Sequence, residues 1–148
     1  MSELLIRHGE WVVVCDGAKA LVLENAGDAK FPNLKMREVY EQKDMPTRLL
    51  GADKPGRTHS SVGQNSSAVT QTDWHNQAEQ AFLTHLAQKL DAEVATGKVK
   101  SLILVAPPRA LGMIRHAYSH ALRGAIRTEI DKDLVKHPVH DIEKHLTA

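Results

Sequence analysis

Apolar and polar positions change their period along the chain. Trp11–Cys15 (WVVVC) is an unbroken apolar, β-branched run of the kind a buried strand carries. Asp16-Gly17 follows, a dipeptide favoured in tight hairpin turns, and Ala18–Glu24 reads as a second strand antiparallel to the first. A loop over Asn25–Pro32, marked by Gly27 and Pro32, leads to a third strand, Met36–Gln42. Its alternation puts Met36, Glu38, Tyr40 and Gln42 on one face and Arg37, Val39 and Glu41 on the other.

Residues 43–71 have no such period. The stretch holds Pro46, Gly51, Pro55, Gly56 and Gly63 among many Ser, Thr and Asn, and is expected to be a long, mobile functional loop. Beyond it Trp74, Ala78, Phe82, Leu86, Leu90 and Val94 recur every four residues, the stripe of an amphipathic helix over 73–96. Thr72 or Asp73 can cap its start, and Gly97 stands where a left-handed C-terminal residue belongs. Ser101–Ala106 (SLILVA) is continuous and apolar, as a central parallel strand is. Pro107-Pro108 stops it and opens a helix with Leu111, Ile114, Tyr118 and Leu122 inward, with a break near Ser119. Ile126–Asp131 alternates as a last strand, and Pro138 begins a final short helix with Val139, Ile142 and Leu146 inward.

The predicted class is α/β: a mixed sheet of about five strands carrying helices, in the order β-β-β-α-β-α-β-α. Ribonuclease-H-like domains and several translation-machinery domains share that order. Many functions use it, so it assigns none by itself.

Composition changes the picture by exclusion. A chain of 148 residues fits one domain spanning 1–148. No apolar run approaches the ~20 residues of a membrane span. The first ten residues, MSELLIRHGE, lack the pattern of a secretory signal. Cys15 is the sole cysteine, which excludes an internal disulfide and a thiolate metal cluster and accords with a cytoplasmic location. No cofactor and no metal are expected. The six aromatic residues are few for a protein that stacks bases.

Net charge is +1, but it is unevenly spread. Residues 98–128 carry six cations (Lys98, Lys100, Arg109, Arg115, Arg123 and Arg127) and no acid. Such a segment suits an anionic partner, contacted through its backbone and sensitive to salt. The competing account is a solvated face balanced by acids elsewhere in the fold, with Arg109 pairing structurally near the strand end.

Other constellations are thinner. Asp16 ends the first strand, where a metal-dependent nuclease needs a carboxylate, and Glu79 and Glu93 lie on the long helix; the fourth strand ends instead in Pro107-Pro108-Arg109. Asp16 is therefore read as a turn residue. His116 and His120 share a helix face, and His137, His140 and His145 cluster, without the further ligands a metal requires. Cys15, inside an apolar strand, reads as a packed thiol.

Three segments together are specific: Trp11–Ala18 (WVVVCDGA), Ala106–Gly112 (APPRALG) and Lys132–Pro138 (KDLVKHP). With them the chain resembles the bacterial host-attachment protein family, named for a requirement in attachment to host cells. The resemblance implies a non-enzymatic protein that acts through an unidentified macromolecular partner, with the ribosome or RNA as candidates. The family in turn resembles the middle domain of archaeal and eukaryotic peptide-chain release factors. There a Gly-Gly-Gln loop precedes a long helix and promotes hydrolysis of peptidyl-tRNA. Here Gly63-Gln64 stands in the polar stretch, with Val62 in place of the first glycine. This resemblance implies the alternative function, with Gly63 and Gln64 as the catalytic pair. Val62 departs from it, because a β-branched residue resists the positive φ that glycine adopts freely.

Overall fold

In a computed structural model that describes residues 4–45 and 67–147, five strands form one mixed sheet. They are β1 (Trp11–Cys15), β2 (Lys19–Asn25), β3 (Leu34–Glu41), β4 (Leu102–Ala106) and β5 (Ile126–Asp131). Their spatial order is β3-β2-β1-β4-β5. The β1–β2 and β2–β3 pairs are antiparallel, and β4 lies parallel to both β1 and β5. The fully apolar runs β1 and β4 are the ones covered on both faces, and every residue of each is buried.

Four α-helices complete the described residues: α1 (Ser67–Ala95), α2 (Pro108–Arg115), α3 (His120–Ala125) and α4 (Val139–Thr147). On one face, Phe82, Leu86 and Leu90 of α1 join Leu111, Ile114 and Leu122 over Trp11, Val13, Val22 and Leu104. On the other, Ile142 and Leu146 of α4 join Ile6, Leu134 and Val135 over Val12, Val14, Leu21 and Val105. Alternation along β1 and β4 thus feeds two separate cores, one on each side of the sheet.

Local signals account for most boundaries. Gly97 has φ +82°; its N–H donates to Val94 O and that of Lys98 to Glu93 O, each at 3.1 Å, which closes α1 in a Schellman motif. Pro107 caps α2 in extended conformation and Pro108 opens it. Ser119 caps α3, its Oγ accepting from Leu122 N–H at 2.9 Å. The helix predicted over 111–122 is therefore two helices, broken where a capping serine competes with continuation.

Three expectations need correction. The long helix starts at Ser67, so Thr72 and Asp73 lie inside it and not at its start, and the end of the polar 43–71 stretch is helical. Gln42–Asp44 forms a short 3-10 turn, and the remainder of that stretch, 46–66, lies outside the described residues. The faces of β3 differ from simple alternation. Met36 pairs with Leu23 and Glu38 with Val22, so a bulge leaves Arg37 unpaired. Met36 and Val39 consequently share the α4 side, and the Arg37 guanidinium lies 4.5 Å over the Trp11 ring on the α1 side, bonded to Glu24 at 2.7 Å. A bulge shifts the parity of every position before it, which no residue of the strand announces.

The β1–β2 turn also differs in kind. Gly17 does not have a positive φ. Asp16 makes the turn by accepting at Oδ1 from the N–H groups of Ala18 (2.8 Å) and Lys19 (2.9 Å). Glycine is needed at position 17 for space: a Cβ there would lie 2.8 Å from the Glu79 side chain of α1.

Candidate functional site

The six cations of 98–128 fall into two groups once the fold is formed. Arg109 of α2 donates to Glu79 Oε1 from Nε (3.1 Å) and Nη2 (2.8 Å) and also bonds Asn76. Arg115 binds Glu129 on β5, whose other oxygen accepts from Tyr118 Oη at 2.7 Å. Arg127 donates to both oxygens of Glu10 and to Leu5 O. The acids missing from 98–128 are thus supplied by α1, β5 and the N-terminal segment. Arg123 stacks over Tyr118, its guanidinium 5.2 Å from the ring. Lys98 makes only a loose exposed pair with Glu93 at 3.5 Å, and Lys100 has no acidic partner among the described residues.

Lys98 and Lys100 stand on the turn between α1 and β4, at the end of the sheet where β1 and β4 begin. Arg7 and His8 come to the same place from the N-terminal segment. Together with Gly9, Glu10, Gly97 and Ser101 they line a cleft of about 270 Å³. Both glycines have positive φ, Gly9 at +78° and Gly97 at +82°, and where their Cβ atoms would stand there is open space.

The floor of this cleft is a saturated carboxylate. Glu10 is 4% exposed. Its Oε1 accepts from Arg7 N–H (3.0 Å) and Arg127 Nη2 (2.9 Å), its Oε2 from Ser101 Oγ (2.6 Å) and Arg127 Nε (2.7 Å). Burial pushes its pKa up, but the hydrogen bonds from Arg127, Ser101 and Arg7 and the charge of Arg127 outweigh burial and hold it below the ordinary carboxylate value. Glu10 therefore carries its charge at neutral pH and is neutralised from behind by Arg127. The wall facing solvent carries Arg7, Lys98 and Lys100 with no exposed acid among the lining residues.

Buried Asn25 holds the N-terminal wall. Its Nδ2 donates to Ile6 O (2.7 Å) and Arg7 O (3.2 Å), and its Oδ1 accepts from Gly27 N–H (2.9 Å) and Asn33 N–H (2.8 Å). Gly9 N–H donates to Asn25 O at 2.8 Å. His8 Nδ1 lies 2.7 Å from Gly27 O and donates to it, which leaves Nε2 outward. Arg7, His8, Glu10 and Asn25 were invisible as site residues in the sequence, because the only signal there was a run of like charge, and these four precede it by more than 70 positions.

A second cleft, of about 190 Å³, opens at the opposite end, between the carboxyl ends of β1 and β4 where the strand order reverses. Asp16, Glu79, Arg109 and Asp133 line it. Asp16 is occupied with its turn and Glu79 with Arg109. No group of three or more His, Cys, Asp or Glu able to hold a metal ion occurs among the described residues. Cys15 is wholly buried; burial, then the charge of Asp16, pushes its thiol up to about 12, which makes it a poor nucleophile. Gly63 and Gln64 lie outside the described residues. No helix among the described residues is long and apolar enough to cross a membrane.

Comparison with known proteins returns two findings. A family model described as "protein required for attachment to host cells" matches residues 11–146. An uncharacterised protein of Rickettsia prowazekii (strain Madrid E) is 35% identical over 114 residues, 77% of this chain. The match covers 65% of that relative, so the chain spans less than two thirds of its length.

Proposed function

Because the chain belongs to the family of proteins required for attachment to host cells, we propose that it serves attachment as a non-enzymatic binding module whose cationic contact surface meets an anionic macromolecule. One observation carries this: Lys98 and Lys100 converge with Arg7 and His8 on a cleft with no exposed acid, while Arg109, Arg115 and Arg127 are bonded within the fold. Contact of this kind is made to charged groups rather than to base edges, and weakens as salt rises. The small number of aromatic residues accords with that.

The ribosome or an RNA enters as a candidate partner only through the resemblance to release-factor middle domains, and peptidyl-tRNA hydrolysis at Gly63-Gln64 is the alternative reading. The test is capture from lysate on the immobilised chain, eluted in salt steps, with mass spectrometry and nucleic-acid analysis of each step. Lys98→Glu with Lys100→Glu is expected to abolish capture at low salt. Gln64→Ala is expected to leave capture and the attachment phenotype intact. Loss of the phenotype in a folded Gln64→Ala variant, or unaltered capture by the double lysine variant, overturns the proposal.

A further inference from the structure

The cationic cleft has more definition than a charged patch. Three separate pieces of chain build it: the N-terminal wall held by Asn25, the α1–β4 turn held by its Schellman bonds, and Arg127 of β5 behind Glu10. Two positive-φ glycines line it without side chains, so backbone and cations border the same small volume. We infer that this cleft is a subsite for a tetrahedral oxyanion, a phosphoryl or sulfuryl ester group, held by Arg7, Lys98 and Lys100.

The chemistry favours an oxyanion over a cation or a neutral ligand. Glu10 is the one carboxylate among the lining residues, and all of its oxygens are engaged by Arg7 N–H, Ser101 and Arg127. It cannot serve as a cation ligand without breaking a buried ion pair. Arg7 brings a planar guanidinium suited to bidentate contact with phosphate or sulfate, and two lysines add point charges on flexible stems. Neither the Arg7 guanidinium nor the Lys100 ammonium has an acidic partner among the described residues, so both charges are available to a ligand. The carbonyl end of the α1 dipole lies nearby and opposes an anion; Lys98, in the first position after Gly97, offsets it.

This deepens the binding function proposed above and rests on it, since it names the group on the partner that the surface would hold. It is tested apart from any partner. The full chain, labelled with ¹⁵N, is titrated with inorganic phosphate, sulfate or chloride at constant ionic strength. Phosphate is expected to move the amides of 7–10 and 97–101 along a saturating curve, with chloride moving none of them. Sulfate acting as well as phosphate assigns the site to either ester; phosphate alone assigns it to phosphoryl groups. Arg7→Glu with Lys100→Glu is expected to weaken binding by about tenfold or more. Lys43→Glu, an exposed change next to Gln42, which bonds the β1–β2 turn at the opposite end of the sheet, leaves it unchanged. Equal shifts with chloride, shifts spread over the whole surface, or binding untouched in a folded double variant would overturn the subsite. If phosphate saturates the cleft but capture from lysate survives loss of Lys98 and Lys100, the subsite stands and the binding function falls. If capture is lost and phosphate never binds, the subsite alone falls.

Discussion

Replacing Arg127 with methionine isolates the ion pair beneath the cationic cleft. The Glu10 side chain is 1% exposed and that of Arg127 28%, so the arginine's contact is made largely out of water. Two of the four hydrogen bonds to Glu10 come from Arg127, and the two that remain, from Arg7 N–H and Ser101 Oγ, carry no full positive charge. Removing one partner of a buried pair costs several kcal/mol because the other charge is stranded; with Arg127 partly wet the lower end applies, about 3 kcal/mol. In urea unfolding followed by circular dichroism, with a slope near 2 kcal/mol/M, the midpoint should fall by roughly 1.5 M. Glu10→Gln added to Arg127→Met removes the stranded charge and should restore about half of the loss or more. A single variant within about 0.5 kcal/mol of the parent would refute the account, since that is the scale of an ordinary surface change. Arg127 would then belong with the free cations of the surface.

Three further outcomes are expected. Gly17→Ala should cost about 1 kcal/mol by displacing Glu79 from Arg109, and the cost should shrink in a Glu79→Ala background, as a double-mutant cycle by urea unfolding would show. Cys15 should resist a thiol reagent at pH 8 until urea unfolds the chain, releasing one equivalent; fast labelling of the native protein contradicts its burial. Acid should destabilise the fold through Glu10 and Glu129. Glu10 is held low against its burial by Arg127, Ser101 and Arg7, and Glu129 is held low first by its hydrogen bond from Arg115. A carboxylate depressed in the native state contributes stability that is present above its ordinary value and lost as pH falls through the native one. The urea midpoint should therefore drop below pH 5, and less steeply in the Glu10→Gln, Arg127→Met pair.

Much of the fold was legible in runs and periods. WVVVC and LILVA announced strands buried on both faces, and the four-residue recurrence from Trp74 to Val94 announced a helix; Phe82, Leu86 and Leu90 are indeed core. Gly97, Pro108 and Ser119 marked ends that the backbone confirms. What failed were features set by neighbours. The β3 bulge depends on the partner strand, and the need for Gly17 depends on a helix more than 50 residues away. The candidate site was half legible. The acid-free segment pointed to cations, yet three of its arginines meet acids outside it, Glu79, Glu129 and Glu10, at separations of 30, 14 and 117 positions.

By itself the sequence determined which segments are strands and helices, because hydrophobic period, prolines and capping residues act over a few positions. It also pointed to the family, through three short segments spread between residues 11 and 138, and the family model matches 11–146. Only the tertiary structure decided which charges remain for a partner. Charge is conserved along a chain, but its neutralisation is a matter of distance in space. Folding brings Glu10 under Arg127 and Glu79 beside Arg109, and leaves Arg7, Lys98 and Lys100 around one cleft.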